Sequence, residues 1–158
     1  IVRPAFIENS SQLSTVDDVF NGIMVKGDAI DKVMFYGRGA GKFPTASAVV
    51  ADVIDAAKST GTSNSQIWSE GRNVDFIEDY TQADISMYVR ISCENRDEAL
   101  SLLKNAFGEV KHLTRKGRDK TELAFITPIL KEQSIEDKLA DLANNRIKIL
   151  AKIRVLDF

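Results

Sequence analysis

The sequence predicts an α+β protein made of two successive parts. Runs rich in β-branched and aromatic residues alternate with three segments whose apolar residues recur at helical spacing. A run of small polar residues after position 58 fits neither pattern and is typical of a linker. We therefore predict a first segment of strands and one helix over 1–58, a linker over 59–83, and a second module over 84–158.

The first segment contains three predicted strands, at 1–7, 19–25 and 32–36. The turn between the second and third most simply uses Gly27-Asp28. Asn21-Gly22 is a rival hairpin signal, but the continuous apolar run around it favours one buried strand.

A glycine-rich turn follows the third strand and carries most of the functional information. Gly37, Gly39 and Gly41 remove three side chains within five residues, which permits positive φ angles and close approach of a ligand or another backbone. The helix predicted over 45–58 begins beside this turn, and a helix amino terminus is a natural anion site. Tight packing alone is the alternative explanation of the glycines.

Two phosphate-binding motifs do not fit the turn. A Walker A loop needs glycine five positions before its Gly-Lys pair and a hydroxyl residue after it, where this chain has Tyr36 and Phe43. A dinucleotide fingerprint needs glycine in place of Lys42. The sequence therefore contains neither motif in complete form here.

The helix over 45–58 has a wide apolar face with a period of 3.6 residues. Its members are Ala46, Val49, Val50, Val53, Ile54 and Ala57. Burying its four branched residues would contribute on the order of 6–12 kcal/mol before entropy is counted. We expect this face to be exposed, or to be buried against another copy or the chain's own sheet.

The second module has the predicted order βαββαβ, typical of a ferredoxin-like layer of two helices on an antiparallel sheet. Asn95 and Gly108 are the predicted first and last caps of its first helix, and Ser134 is the predicted cap of its second. The predicted strands are 85–93, 110–114, 121–127 and 147–155.

Composition argues against several classes of function. A formal charge of −2 and a pI near 5.5 provide no basic excess for nucleic-acid binding. Cys93 is the single cysteine of the sequence, so an intrachain disulfide is excluded and a cytoplasmic location is expected. We interpret it as a small core residue. One histidine, His112, offers no metal site, and no apolar run approaches the ~20 residues of a membrane span. A basic run is interpreted as a solvated hairpin; it contains Lys111, Arg115, Lys116, Arg118 and Lys120.

The glycine turn and its flanks resemble homoserine dehydrogenase. The family's run Met-Phe-Tyr-Gly-Arg-Gly-Ala-Gly, with Pro-Thr-Ala-Ser-Ala-Val two residues later, stands here at 34–49, and the likeness extends through 3–7 and 19–28. The resemblance implies the carboxyl-terminal part of an NAD(P)-dependent oxidoreductase that interconverts L-homoserine and L-aspartate 4-semialdehyde in threonine and methionine biosynthesis. The resemblance implies that Gly41 lies against the nicotinamide cofactor. We predict that Gly39 and Ala40 line the cofactor with it and that Gly37 sets the turn, so the predicted cofactor-binding residues are Gly37, Gly39, Ala40 and Gly41.

In that family, the Rossmann fingerprint, the catalytic lysine and the substrate-binding carboxylates precede the part that resembles this chain. We therefore expect a fragment of a longer enzyme and assign it no catalytic residue. We expect no activity from the chain alone.

The βαββαβ module after such a segment resembles an ACT domain, which many members of the family carry. ACT domains bind an amino acid at the loop after their first strand, across an interface with a second copy, and the implied effector here is L-threonine. The corresponding loop is Glu94, Asn95, Arg96 and Asp97; it lacks the usual Pro and Gly, and carboxylates crowd the helix start. Threonine sensing and assembly into a dimer or higher oligomer both stay open. A stand-alone amino-acid-binding module without catalysis is the alternative function.

Overall fold

The computed structural model describes residues 1–61 and 77–156, and these form two units. One unit contains residues 1–8 and 77–156, and the other contains 9–61. Sheets and three helices make up the described part, which confirms the α+β class. No helix in this part is long and apolar enough to cross a membrane.

The elements are numbered in chain order. The strands are β1 (Ala5–Ile7), β2 (Phe20–Gly27), β3 (Asp31–Arg38), β4 (Asp84–Ser92), β5 (Lys111–Leu113), β6 (Glu122–Ile126), β7 (Leu130–Lys131) and β8 (Lys148–Leu156). The helices are α1 (Lys42–Lys58), α2 (Arg96–Phe107) and α3 (Glu132–Asn144), with short 3-10 turns at Gln12–Thr15 and Tyr80–Gln82.

In the 9–61 unit, β2 and β3 pair along their whole length as an antiparallel hairpin. The reversal follows Gly27, as predicted, and Asn21 and Gly22 lie within the strand. The prediction that β2 is buried is wrong for this unit, because Ile23 is 63% exposed and Val25 is 42% exposed.

The helix α1 begins at Lys42, three residues earlier than the predicted start at Thr45. Gly41 is its N-cap, and the first helical hydrogen bond runs from the Thr45 amide to the Gly41 carbonyl, at 3.1 Å. Pro44 fits inside the first turn because that position needs no amide donor. The apolar face is exposed, which is one of the predicted outcomes; Val49, Val50, Val53 and Ile54 are 46–62% exposed.

The other unit has one main sheet with strand order β1-β8-β4-β6-β5, and β7 also pairs with β4. The succession β4-α2-β5-β6-α3-β8 reproduces the predicted βαββαβ order, with β7 as an unpredicted short strand. Side chains of α2 and α3 pack on one face of this sheet. The core residues are Ile85, Met87, Val89, Ile91, Cys93, Ala99, Leu103, Phe107, Leu123, Phe125, Ile135, Leu139, Leu142 and Ile147.

Residues 1–8 belong to this second sheet, which differs from the predicted grouping of 1–58. β1 pairs in parallel with β8, matching Ala5 with Arg154 and Ile7 with Leu156. The strand is shorter than the predicted 1–7 because Pro4 has no amide to donate. Of the predicted linker 59–83, residues 62–76 lie outside the described residues, including Trp68 and Phe76.

The two long helices of this unit begin differently. The Asn95 side chain accepts hydrogen bonds from the amides of Asp97 and Glu98, and Gly108 ends α2 with a φ of 72°. These caps were predicted. Ser134 is not the cap of α3, however, because β7 pairs with β4 up to Lys131 and the helix starts at the next residue.

Candidate functional site

The glycine turn lies between the end of β3 and the start of α1. Gly41 has a φ of 129°, in the region that side chains disfavour. A Cβ on Gly39 would lie 1.4 Å from Nδ2 of Asn21, whereas nothing lies within 4 Å of one on Gly37. Packing within the hairpin therefore explains Gly39, and backbone conformation explains Gly41. Neither reason applies to Gly37, whose surroundings are open to a ligand.

The start of α1 has donors for an anion. The amides of Lys42 and Phe43 have no helical acceptor, since the first helical bond is made by Thr45, and no acceptor for them is present among residues 1–61. The helix dipole and the Lys42 side chain add positive charge at this end. The residues present therefore fit an anionic group such as the phosphates of a nucleotide cofactor.

Aromatic stacking holds the strand ends beside this turn. The rings of Phe20 and Tyr36 stack at 5.0 Å with an angle of 5°, and the guanidinium of Arg38 lies 5.1 Å from the Phe20 ring centre. Phe20 and Arg38 are also directly paired across the hairpin. These contacts fix a cationic residue at the entry to the glycine turn.

Of the four predicted effector-binding residues, the structure brings two into one cavity. Glu94 and Asn95 line a space of about 240 Å³ in the sheet unit. Arg96 instead donates to the Glu122 carbonyl at 3.4 Å, and Asp97 does not line the cavity. Sequence reasoning missed the opposite wall, which is the α3–β8 connection; it comprises Asn144, Asn145, Arg146 and Ile147. The only sequence signal for that wall is the Asn-Asn pair at the helix end.

The cavity contains groups of both charges. Glu94 and Glu98 provide carboxylates and Arg146 provides a guanidinium, a combination suited to a zwitterion. The α2 amides nearest to it are already bonded to the Asn95 side chain, so they offer less to an effector carboxylate. Burial raises the pKa of the Cys93 thiol, and Arg96 partly offsets this. Cys93 is only 5% exposed, as a core residue should be.

A buried Arg-Glu-Arg cluster, which the sequence did not reveal, joins β1 to the rest of its sheet unit. The Glu132 carboxylate is 1% exposed and accepts hydrogen bonds from Arg3, at 3.1 Å, and from Arg154. Both guanidiniums also lie over the Tyr80 ring, 5.2 and 5.6 Å from its centre. Because both carboxylate oxygens are paired, this cluster is a clamp for the strand rather than a reactive group.

No group of three His, Cys, Asp or Glu side chains within 1–61 and 77–156 is arranged to hold a metal ion. The glycine turn and the cavity beside Glu94 are the candidate sites that we consider for the described residues.

Residues 1–54, which include the glycine turn, match the family described as homoserine dehydrogenase. Over this range, the chain is similar to homoserine dehydrogenases. It is 56% identical to the Synechocystis sp. homoserine dehydrogenase over 54 residues, which are 34% of this chain and 12% of that protein. It is 28% identical to the Bacillus subtilis homoserine dehydrogenase over 162 residues, covering 97% of this chain and 37% of that protein.

Solved structures share the fold across nearly the whole chain. A homoserine dehydrogenase from Thiobacillus denitrificans matches 97% of the chain with a TM-score of 0.72 and 21% identity, over 38% of its own length. The S. aureus homoserine dehydrogenase at pH 7.0 matches 96% with a TM-score of 0.67 and 21% identity, over 36% of its length. The chain thus spans little more than a third of these homoserine dehydrogenases, and the predicted resemblance is confirmed.

Proposed function

We propose that the chain is part of an NAD(P)-dependent homoserine dehydrogenase, which interconverts L-homoserine and L-aspartate 4-semialdehyde. The observation that carries this proposal is the family match over residues 1–54, because that range contains the glycine turn and the start of α1. The alignments to Pseudomonas aeruginosa and Bacillus subtilis homoserine dehydrogenases, over 89% and 97% of the chain, favour this enzyme over a stand-alone amino-acid-binding module.

In the proposed enzyme, the turn binds and orients the cofactor. The amides at the start of α1 and the Lys42 ammonium bind an anionic group of it, and Gly37 to Gly41 let the backbone approach closely. When bound, the nicotinamide supplies the hydride chemistry. The residues of this chain contribute position and the exclusion of water, and none of them needs to transfer a proton.

A chimaera tests this proposal. The chain would replace the corresponding segment of the Bacillus subtilis enzyme, and homoserine-dependent reduction of NAD⁺ and NADP⁺ would be followed by absorbance. We expect activity from the chimaera and none from the same enzyme with the segment deleted. A folded chimaera without homoserine-dependent reduction would contradict the proposal.

For the sheet unit, we propose an ACT-like role as a sensor of L-threonine or as an assembly module in a homo-oligomer. The βαββαβ order and the two-sided cavity beside Glu94, Asn95 and Arg146 support it. Calorimetry with L-threonine, compared with L-serine and L-isoleucine and combined with the mass in solution, separates the roles. Selective, saturable heat supports sensing, and a folded dimer without heat supports assembly. A folded monomer without heat contradicts both.

Two substitutions sharpen this test. Arg146→Gln removes the cation that lines the cavity and should weaken threonine binding at least tenfold, as expected for loss of a charge-assisted hydrogen bond. Arg96→Gln removes a charge from the first residue of α2, which does not line the cavity, and should weaken binding much less than Arg146→Gln does. Equal effects would mean that the cavity is not the threonine site.

We also propose a cytoplasmic location, because the single cysteine is a free, buried thiol.

A further inference from the structure

The sheet face opposite the helices carries a second cavity, of about 200 Å³, lined by three arginines. We call it the arginine notch; it comprises Arg90, Arg115 and Arg118 around Tyr88, Leu113, Ala124 and Glu122. It is separate from the glycine turn and shares no lining residue with the cavity beside Glu94. We propose that the arginine notch binds a small organic carboxylate with a short hydrocarbon body.

The strand register creates the notch. Arg90, Ala124 and Leu113 are paired directly across β4, β6 and β5, so their side chains share one face. Their chain neighbours Val89, Leu123 and Phe125 are buried in the core, so this shared face points away from the helices. Alanine is shorter than the residues on both sides of it. A depression therefore forms at Ala124, and the β5–β6 turn brings Arg115 and Arg118 to its edge.

The charges in the notch are not balanced. Its lining has three guanidiniums and one carboxylate, a net charge of +2, and the carboxylate of Glu122 lies 3.6 Å from Arg115. Arg90 and Arg118 form no ion pair within the described ranges 1–61 and 77–156, and Nε of Arg90 is buried without a hydrogen-bond partner.

Asp119, next to Arg118 in the turn, does not line the notch and forms no ion pair with these arginines within the described ranges. Its side chain accepts hydrogen bonds from the amide and the hydroxyl of Thr121, at 3.0 and 2.9 Å. Within the described residues the Arg90 guanidinium therefore has no counter-charge, and an anion in the notch would supply one to its terminal nitrogens.

The shape and chemistry of the notch select the ligand class. Guanidinium groups bind carboxylates through two parallel hydrogen bonds, while Leu113, Ala124 and the Tyr88 ring supply an apolar wall. The volume is below the ~300–1,000 Å³ of typical drug-sized sites, so only a small ligand fits. An α-amino acid is disfavoured because its ammonium group would meet the arginines, which distinguishes this site from the proposed threonine site.

The proposal gives two arginines of the basic run a role in ligand binding. Arg115 and Arg118 line the notch, whereas Lys116 and Lys120 do not. The interpretation of the run as a solvated hairpin is compatible with this role, because the Arg115 side chain is 67% exposed.

Titration of the ¹⁵N-labelled chain tests the proposal at constant ionic strength. Hexanoate should cause saturable amide shifts at Arg90, Leu113 and Ala124, with a Kd of about 1 mM or tighter. Hexylammonium has the same body and the opposite charge, and L-norleucine adds an ammonium group; both should bind at least tenfold more weakly. Inorganic phosphate, which lacks the body, should also bind more weakly. Equal binding of any of these three, or no saturation with hexanoate, would overturn the assignment.

Variants locate the binding within the notch. Arg90→Gln removes the central charge and Ala124→Leu fills the depression without a charge change, so each should weaken hexanoate binding at least tenfold. Lys120→Gln removes a positive charge from the same turn outside the lining and should leave the Kd unchanged. Equal weakening by Lys120→Gln would reduce the effect to general electrostatic attraction and refute a specific site.

Discussion

The clamp at Glu132 makes a quantitative prediction about the sheet unit. Glu132→Gln keeps the shape of the side chain but removes the negative charge that both Arg3 and Arg154 contact. The side chain of Arg154 is only 13% exposed, so its guanidinium loses its counter-charge in a place with little water. We expect the substitution to loosen β1 and β8 together.

The expected magnitude follows from the burial of the partners. Removing one member of a buried ion pair costs roughly 3–5 kcal/mol. Arg3 is 44% exposed and can be rehydrated, which favours the lower end, about 3 kcal/mol. Amide hydrogen exchange measures this loss of stability residue by residue. A local measurement is needed because a chain with two units need not unfold in a single cooperative transition. Exchange of the Val89 and Phe125 amides should rise roughly 150-fold if their protection reports global opening of the unit.

Glu136→Gln is a matched control. Glu136 lies one turn further along α3 and pairs with Lys152, but its side chain is 32% exposed. An exposed pair contributes less than about 1 kcal/mol, so exchange should rise less than about fivefold. If Glu132→Gln raised exchange no more than Glu136→Gln does, the clamp would not be a stabilising feature and the reasoning from burial would be wrong.

Three further predictions concern local structure. Gly39→Ala should disturb the hairpin end, because its Cβ would overlap the Asn21 side chain, while Gly37→Ala should be tolerated. Amide chemical shifts in β2 measure the disturbance, and equal shifts in the two variants would refute the prediction. Asn95→Ala removes the side-chain cap of α2 and should lower the stability of the helix by about 1 kcal/mol. Amide hydrogen exchange in the first turn of α2 should become faster, and an unchanged exchange rate would contradict the prediction. Hydrogen bonds from the Thr81 hydroxyl and then from its amide lower the pKa of Asp79 below its usual range. The stabilisation is therefore present above the unfolded pKa and is lost as pH falls through the lower folded pKa. Thr81→Val should raise that pKa in a carboxyl NMR titration, and an unchanged midpoint would contradict the cause.

Local signals predicted much of the sheet unit correctly. Period-two alternation located β4 and its buried face, and Asn95 and Gly108 marked both ends of α2, because these signals depend on residues within one element. The start of α3 was predicted wrongly for the opposite reason. Ser134 is a good local cap, but the pairing of β7 with β4 determines where the helix begins.

Long-range pairings were beyond the sequence. β1 and β8 lie at opposite ends of the chain, and no local pattern shows that Ala5 is opposite Arg154 or that Arg3 reaches Glu132. The same limit applies to the cavity beside Glu94 and to the arginine notch. The glycine turn was located from the sequence, yet only the structure separates Gly39, which packs on Asn21, from Gly37, which is open. The assignment of Gly37, Gly39, Ala40 and Gly41 to the cofactor stays a prediction.

The most direct test of the account is the Michaelis constant for the nicotinamide cofactor in the chimaera carrying Gly41→Val. A side chain there meets both a disfavoured φ and the proposed cofactor position. We predict at least a tenfold increase in the cofactor KM, or loss of turnover, with an unchanged KM for homoserine in any residual activity. A cofactor KM and a kcat equal to those of the unsubstituted chimaera would remove the glycine turn from the cofactor site.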